Sequence, residues 1–291
     1  MKFTNNFNLP QLFVDIVEKR SYKPREGRFS VTKLTSPPQI NFLTLKHYDE
    51  IETDVSEYFW MFLGEGVHLF MEKYSPKNAL AEEKIEYIHN NKIIVGKSDL
   101  YYNQEIIDYK CTSVYSFLLG EKKEWVAQIN IYRWLYEKLG FPVNKLFIYA
   151  ILRDWMKSKT YKNEDYPKSP FFVSEIPLWT LEKTEEYIDN SLEENSGDNP
   201  RQCTAEEKWS EPTRWAVMKI GRKTAIRVLE TEKEAKTHKK TLLENQKMYI
   251  EKREGKNKRC EDYCNVAEFC EQRKIENQEV YEREFKEGEE K

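Results

Sequence analysis

No stretch of this sequence stays apolar for the roughly 20 residues that a membrane-spanning helix needs. With 33% charged residues and a mean hydropathy of -0.81, the composition is that of a soluble globular protein. Residues 1–20 lack the apolar core of a secretory signal and carry Asn, Gln, Asp and Glu instead, so a cytoplasmic location is expected. Neither sign of charge dominates: 47 Lys and Arg face 50 Asp and Glu, for a net charge of -3. Cysteine is scarce, at five residues. In a cytoplasmic chain that number points away from a disulfide framework and towards metal chemistry. The 291 residues allow one large domain, or one domain with an elaborated end.

What is present centres on GKSDLYYNQEIIDYK, from Gly96 to Lys110. With Asn103-Gln104 as a two-residue hairpin turn, counting outward sets Asp99 opposite Asp108, and Lys110 falls on the face of Asp108. Like charges directly opposite one another cost a sheet about 0.2–1 kcal/mol. A hard divalent cation such as Mg²⁺ or Mn²⁺ compensates such a pair, because it favours carboxylate oxygens and retains reactive waters. Taken alone, D-x8-D-x-K also fits an exposed hairpin with solvated side chains.

The flanks add to the pattern. A second turn at Asn90-Asn91 sets Glu82 opposite Asp99, and a bulge would substitute Glu83. Downstream, residues 121–139 read as a helix in which Gln128 and Tyr132, four apart, share one face. Upstream, residues 54–74 read as a helix carrying Gly64, His68 and Glu72 on one stripe, with Glu72 a candidate to orient His68. His68 alone also reads as a satisfied core or surface histidine, and Gln128 and Tyr132 as buried polar groups bonded to backbone.

The ordered set G-x3-H-x3-E, G-x2-D, IIDYK and Q-x3-Y, over about residues 30–149, resembles RecB-like nucleases of the PD-(D/E)XK superfamily. SVTKLTSPP, ILRDW and QCTAEEKW look like its phage-type exonucleases. The resemblance implies a restriction-endonuclease-like α/β core, with His68, Asp99, Asp108, the carbonyl of Tyr109 and Glu82 around Mg²⁺ or Mn²⁺. It gives Lys110 a catalytic role, with Gln128 and Tyr132 fixing Lys110 and the substrate strand.

Cys260, Cys264 and Cys270 form C-x3-C-x5-C, and Cys203 lies far upstream. Four such thiolates suit a [4Fe–4S] cluster or zinc, while three semi-buried cysteines are the plainer reading. Several RecB-like nucleases close their domain with a four-cysteine iron–sulfur cluster. They mostly show C-x2-C-x5-C, with a fourth cysteine before the core where this chain has Ser36-Pro37-Pro38. Cys203 as fourth ligand is thus an inference. Cys111 reads as a small buried hydrophobe.

Residues 214–259 carry 15 Lys and Arg against 6 Glu. Lys219, Arg222, Lys223 and Arg227 are candidate DNA contacts, and a long solvated helix over 231–253 is the other reading of this charge.

Hairpins alternating with amphipathic helices, rather than a regular βαβ series, give an α/β class with a mixed sheet of about four to six strands flanked by helices. A helical cysteine-bearing C-terminal region completes the expectation. The segments are an N-terminal extension (1–29), a nuclease core (30–194), a basic and cysteine-cluster region packed on it (195–271) and an acidic, frayed tail (272–291). The expected activity is metal-dependent hydrolysis of DNA, single-stranded or with free ends, by an exonuclease of phage or mobile-element replication or recombination, with a protein partner from that machinery. The alternatives are a silent nucleic-acid-binding protein, an RNA-cleaving enzyme and a structure-specific endonuclease.

Overall fold

Two tight turns set the central strands. Asn90 and Asn91 (φ 47° and 58°) and Asn103 and Gln104 (φ 50° and 62°) all take left-handed backbone. Positive φ at both central residues is the turn whose twist matches paired strands, and Asn tolerates it best after Gly. The computed structural model describes residues 1–118, 120, 122–242 and 247–278, and the chain divides into two units, Met1–Arg201 and Gln202–Lys291.

The first unit opens with β1 (Lys2–Thr4), α1 (Gln11–Arg20), β2 (Arg28–Ser30), the short helices α2 (Val31–Leu34) and α3 (Pro38–Lys46), and β3 (Glu52–Asp54), which pairs in parallel with β1. Helix α4 (Phe59–Lys73) leads into the strands β4 (Leu80–Ala81), β5 (Lys84–His89), β6 (Lys92–Lys97), β7 (Leu100–Tyr102) and β8 (Glu105–Thr112). Then come α5 (Val114–Leu118), α6 (Lys123–Lys138), β9 (Lys145–Leu152), β10 (Phe171–Ile176) and α7 (Leu181–Glu194), the last capped by the Thr180 hydroxyl. A five-stranded sheet runs β10-β9-β8-β7-β4, with β8 and β9 parallel and the other pairs antiparallel. A three-stranded sheet runs β2-β6-β5.

Helix α6 joins the two sheets. Its Ile129, Trp134, Leu135 and Tyr136 are buried in one cluster with Ile94 of β6, Ile106 of β8 and Leu146 and Ile148 of β9. Each such side chain contributes about 1.5–3 kcal/mol by leaving water. On the opposite face, Met71 of α4 covers Leu100, Ile107 and Tyr109. Helices therefore flank a mixed sheet, as the α/β expectation has it.

Several local expectations are corrected. The helix read over 54–74 begins at Phe59, because the Asp54 carboxylate accepts from Ser56 N and starts a 3-10 turn over Val55–Tyr58. The strand read through Gly96 and Asp99 breaks after Lys97 and resumes at Leu100 in the other sheet. The start of the next helix at Glu121 lies outside the described residues; α6 begins at Lys123. Residues 1–29 are built into the first unit, with β1 on β3 and Arg28 and Phe29 in β2.

The second unit contains β11 (Ser210–Glu211), β12 (Arg214–Lys219), β13 (Arg227–Leu229), α8 (Glu232–Lys240), β14 (Met248–Arg253), β15 (Lys256–Asn257) and α9 (Lys258–Asp262). The long helix over 231–253 is corrected: α8 ends at Lys240, and β14 pairs antiparallel with β12, so Ile250 lies against the buried Val217. Burial against β12 outweighs the helical propensity of a lysine-rich run. This end of the chain is thus helix and sheet, not helix alone. The tail read as frayed from 272 is helical over 271–278, where Gln272 is buried; residues from 279 lie outside the described ones.

Candidate active site

The break between β6 and β7 places Asp99 at a bend, buried, where its carboxylate can reach out of the sheet. Asp99 Oδ2 accepts from the peptide N–H of Tyr109 on β8, and Asp99 Oδ1 lies 3.2 Å from Nδ1 of His68 on α4. The register of β5 on β6, Lys84 opposite Lys97, carries Glu82 to the same bend. There Glu82 N donates to Asp99 O at 3.1 Å, and Glu82 Oε1 lies 3.1 Å from His68 Nδ1. Glu82 holds a left-handed φ of 55°, a strained conformation for a residue with a side chain, whereas Glu83 is exposed. One ligand-capable atom from each of His68, Glu82 and Asp99 falls within 4.8 Å of the others. Glu72 is exposed on α4, and the histidine is oriented by Asp99 and Glu82 instead.

Asp108 and Lys110 lie on β8 on the face towards α6. Lys110 Nζ is 2.8 Å from Asp108 Oδ2 and donates to Gln128 Oε1 at 3.0 Å, and Gln128 Nε2 donates to the Tyr132 hydroxyl at 3.1 Å. The chain from Asp108 through Lys110 and Gln128 to Tyr132 is continuous. Asp108 Oδ2 is buried, and the lysine contact is an ion pair whose direction does not make it a hydrogen bond, so this oxygen accepts none. Asp108 stands outside the close group of His68, Glu82 and Asp99.

The electrostatics follow from this crowding. Burial raises the Asp108 carboxyl above its ordinary range, Lys110 opposes the shift and the Asp99 charge adds to it. Hydrogen bonding to Asp99, against the pull of burial and with help from Glu82, pushes His68 up to about 9. Burial also raises the Tyr132 and Tyr109 hydroxyls. An orphaned buried carboxylate oxygen beside a histidine and two more carboxylates is a donor set that a hard divalent cation fits.

Two features escaped the sequence reading. Lys97 forms an ion pair with Glu82 Oε2, a contact visible only once Glu82 turns inward. The buried Ser98 hydroxyl bonds Tyr136 of α6 at 2.9 Å and anchors the bend. A cavity of about 450 Å³ opens beside His68 and Glu82, lined also by Gly64, Leu69 and Lys97.

In the second unit no disulfide joins Cys203, Cys260, Cys264 or Cys270, and the close group of potential metal ligands found among the described residues includes none of them; burial and neighbouring thiols raise the pKa of Cys203, Cys260 and Cys264. Burial leads the effect, taking Cys203 up to about 12. The Gln272 amide grips the Cys203 peptide, accepting from its N–H and donating to its carbonyl, both at 2.9 Å. Arg222 and Lys223 lie between β12 and β13, with Lys219 at the end of the one strand and Arg227 at the start of the other. Cys111 is half-buried on β8.

No protein-family model and no curated protein matches the sequence. Among the solved structures similar to it are two. One is the protein SSO0001, at 17% identity over 68% of this chain and 89% of that one, with a TM-score of 0.47. The other is an alkaline exonuclease, LHK-Exo, from Laribacter hongkongensis, at 10% identity over 64% of this chain and 92% of that one, with a TM-score of 0.34. Likenesses this low carry no function across, and the chemistry is read from the site itself.

Proposed function

We propose that this chain is a metal-dependent deoxyribonuclease of the PD-(D/E)XK type, acting as an exonuclease on DNA ends in phage or mobile-element replication or recombination. The observation that carries the reading is the meeting of two groups at one bend: His68, Glu82 and Asp99 on one side, and the chain from Asp108 to Tyr132 on the other, with Asp108 Oδ2 left without a donor.

His68, Glu82, Asp99, Asp108 and the carbonyl of Tyr109 would hold Mg²⁺ or Mn²⁺. Such an ion, when bound, lowers the pKa of water and draws charge from a phosphate. Lys110 has three donors, one of them used by Gln128, while its charge pairs with Asp108 as an ion; a remaining donor would serve an attacking water or a phosphate oxygen. The ammonium stabilises the negative charge that grows in the transition state without giving up its proton. Gln128 and Tyr132 act as positioning residues, fixing the lysine through two hydrogen bonds in series.

In the second unit, Cys203, Cys260, Cys264 and Cys270 would hold a [4Fe–4S] cluster, with zinc as the alternative that metal analysis separates. At Cys203, Cys260 and Cys264 deprotonation is penalised by burial and by neighbouring thiols, which suits a cation that supplies the missing charge. Lys219, Arg222, Lys223 and Arg227 would contact DNA phosphates.

The test is degradation of end-labelled single- and double-stranded DNA with Mg²⁺, Mn²⁺ or EDTA, comparing the native chain with Asp108→Ala and Lys110→Ala. Metal-dependent release of mononucleotides or short oligomers from ends, lost in both variants, is the expected result. Fixed internal fragments would make the enzyme an endonuclease. Binding without cleavage under any metal would overturn the nuclease reading in favour of a silent binding protein.

A further inference from the structure

Helix α4 begins FWMFL and yet buries none of its residues. Phe59 and Trp60, at 56% and 55% exposure, sit edge to face on its first turn. Apolar side chains left in water beside a reactive site call for an occupant. The Arg153 guanidinium lies 4.3 Å from the Trp60 ring centre, and Lys122 Nζ lies 5.0 Å from that of Trp125. Among the described residues neither cation pairs with a carboxylate: Asp154, next to Arg153, is taken by the N–H of Val114.

These residues converge beside Lys110. Arg153 follows the end of β9, and its N–H donates to Thr112 O at 2.8 Å, two residues past Lys110 on β8, or about 7 Å along the strand. Lys122 precedes Gln128 by six helical positions, about 9 Å, and Trp60 precedes His68 by eight, about 12 Å. The Lys122 ammonium is lowered by burial; the Glu124 carboxylate opposes the shift, and Arg153 and Lys110 add to it, as expected for like charges brought together.

Resting on the nuclease reading, the structure assigns Trp60, Arg153 and Lys122 to a holding site for an unpaired nucleic-acid strand, beside the reacting phosphate and within about three stacked nucleotides of it. The charge selects the occupant. An apolar protein face laid here would leave two cations desolvated without partners, whereas a nucleic-acid strand brings a phosphate with every base. The flat face of Trp60 selects the unpaired form, because inside a duplex both faces of a base are already stacked. Arg153 backs the indole and offers its edge to phosphate; Lys122 supplies a second phosphate contact.

The test is binding in EDTA, so that nothing is cut, to labelled oligo-dT, to an abasic oligomer of equal length and to a blunt hairpin duplex. Trp60→Ala is expected to weaken oligo-dT binding about tenfold while leaving the abasic oligomer and the duplex within about twofold, and Trp60→Phe to restore most of the loss. Arg153→Ala and Lys122→Ala are expected to weaken both single strands and to lower the salt slope by about 0.7 each. The assignment is overturned if Trp60→Ala binds oligo-dT as the native chain does, or loses affinity for the abasic oligomer equally. Loss of self-association in Trp60→Ala with unchanged oligo-dT binding would overturn it too, and make this face a protein interface. Lys110-dependent cleavage with no Trp60 effect would sink the assignment and spare the nuclease, and Trp60-dependent binding without cleavage would do the reverse.

Discussion

Lys110 donates a 3.0 Å hydrogen bond to Gln128, so the orientation of the ammonium beside Asp108 is set from another element, helix α6. Removing the ammonium and removing its guide should therefore differ. Lys110→Ala is expected to cost about 10²–10³ in kcat. Gln128→Ala should cost about 10–100-fold, the usual range for a group acting through its neighbour. Tyr132→Phe removes the acceptor of Gln128 Nε2, a bond of about 0.5–1.5 kcal/mol, and should cost tenfold at most. Steady-state kinetics on one labelled oligonucleotide ranks the three; equal losses in all would mean that Lys110 is not positioned through this chain.

The His68 imidazolium couples stability to pH in metal-free protein. Its folded pKa is raised to about 9 from an ordinary value near 6.5. Its bonds to Asp99 and Glu82 therefore contribute fully below about 6.5 and are lost as pH rises through about 9. Asp108 acts with the same sign but lower on the pH scale, since burial raises it to about 6 and its contribution is already lost as pH rises from the ordinary carboxylate range through that value, below the His68 window. In EDTA the denaturation midpoint should fall across this window. Excess Mn²⁺ should raise the midpoint, flatten the fall and release protons near neutral pH, because a ligating histidine must be neutral. A flat or rising profile in EDTA would refute the coupling.

The two-residue turns were legible because asparagine tolerates left-handed backbone, and strand counting from them carries Glu82 and Asp99 to one place. Period two is rigid over such short distances. The break after Lys97 was not legible: Ser98 carries no breaking signal, and the bend depends on its bond to Tyr136, 38 residues away. The failure over 231–253 has the same origin. Thr231 and Glu234 form a capping box that marks where α8 starts, but nothing local marks β14, whose pairing partner β12 is some thirty residues earlier. The α6 stripe was readable from its i, i+4 spacing, while the chemical roles of Lys110 and Gln128 rest on the proposed reaction.

At Gly96, β6 lies directly against side chains of α6. A Cβ there would stand 2.4 Å from Leu135 Cδ1 and 3.2 Å from Tyr132 Cδ1, both on side chains packed in the core. Gly96→Ala should destabilise the protein by about 1–3 kcal/mol and, by displacing Tyr132, reduce activity as well. Gly64 is the contrast, since a Cβ there meets nothing within 4 Å. Gly64→Ala, inside α4, should gain up to about 1 kcal/mol from helix propensity. Urea denaturation of both variants decides the matter, and a Gly96→Ala protein as stable as the native one would show that α6 yields.

Gln272 holds Cys203 from the helix at 271–278, because its one amide satisfies both the N–H and the carbonyl of that residue. Gln272 is buried, so Gln272→Ala leaves those two peptide groups without their partner and should cost about 1–3 kcal/mol. The damage should concentrate on the metal. In anaerobically purified protein, Cys203→Ser and Cys264→Ser should abolish bound iron or zinc, whereas Gln272→Ala should retain the metal at first and lose it faster to a chelator. Elemental analysis with visible absorbance identifies the ion, and the rate of chelator-driven loss measures the clamp. With the metal stripped, the raised thiol pKa values should make Cys203, Cys260 and Cys264 slow to react with an alkylating reagent near neutral pH, since only the thiolate attacks. Rapid alkylation of Cys203 in the stripped protein, or equal metal loss from Gln272→Ala and the native chain, would remove Cys203 from the site.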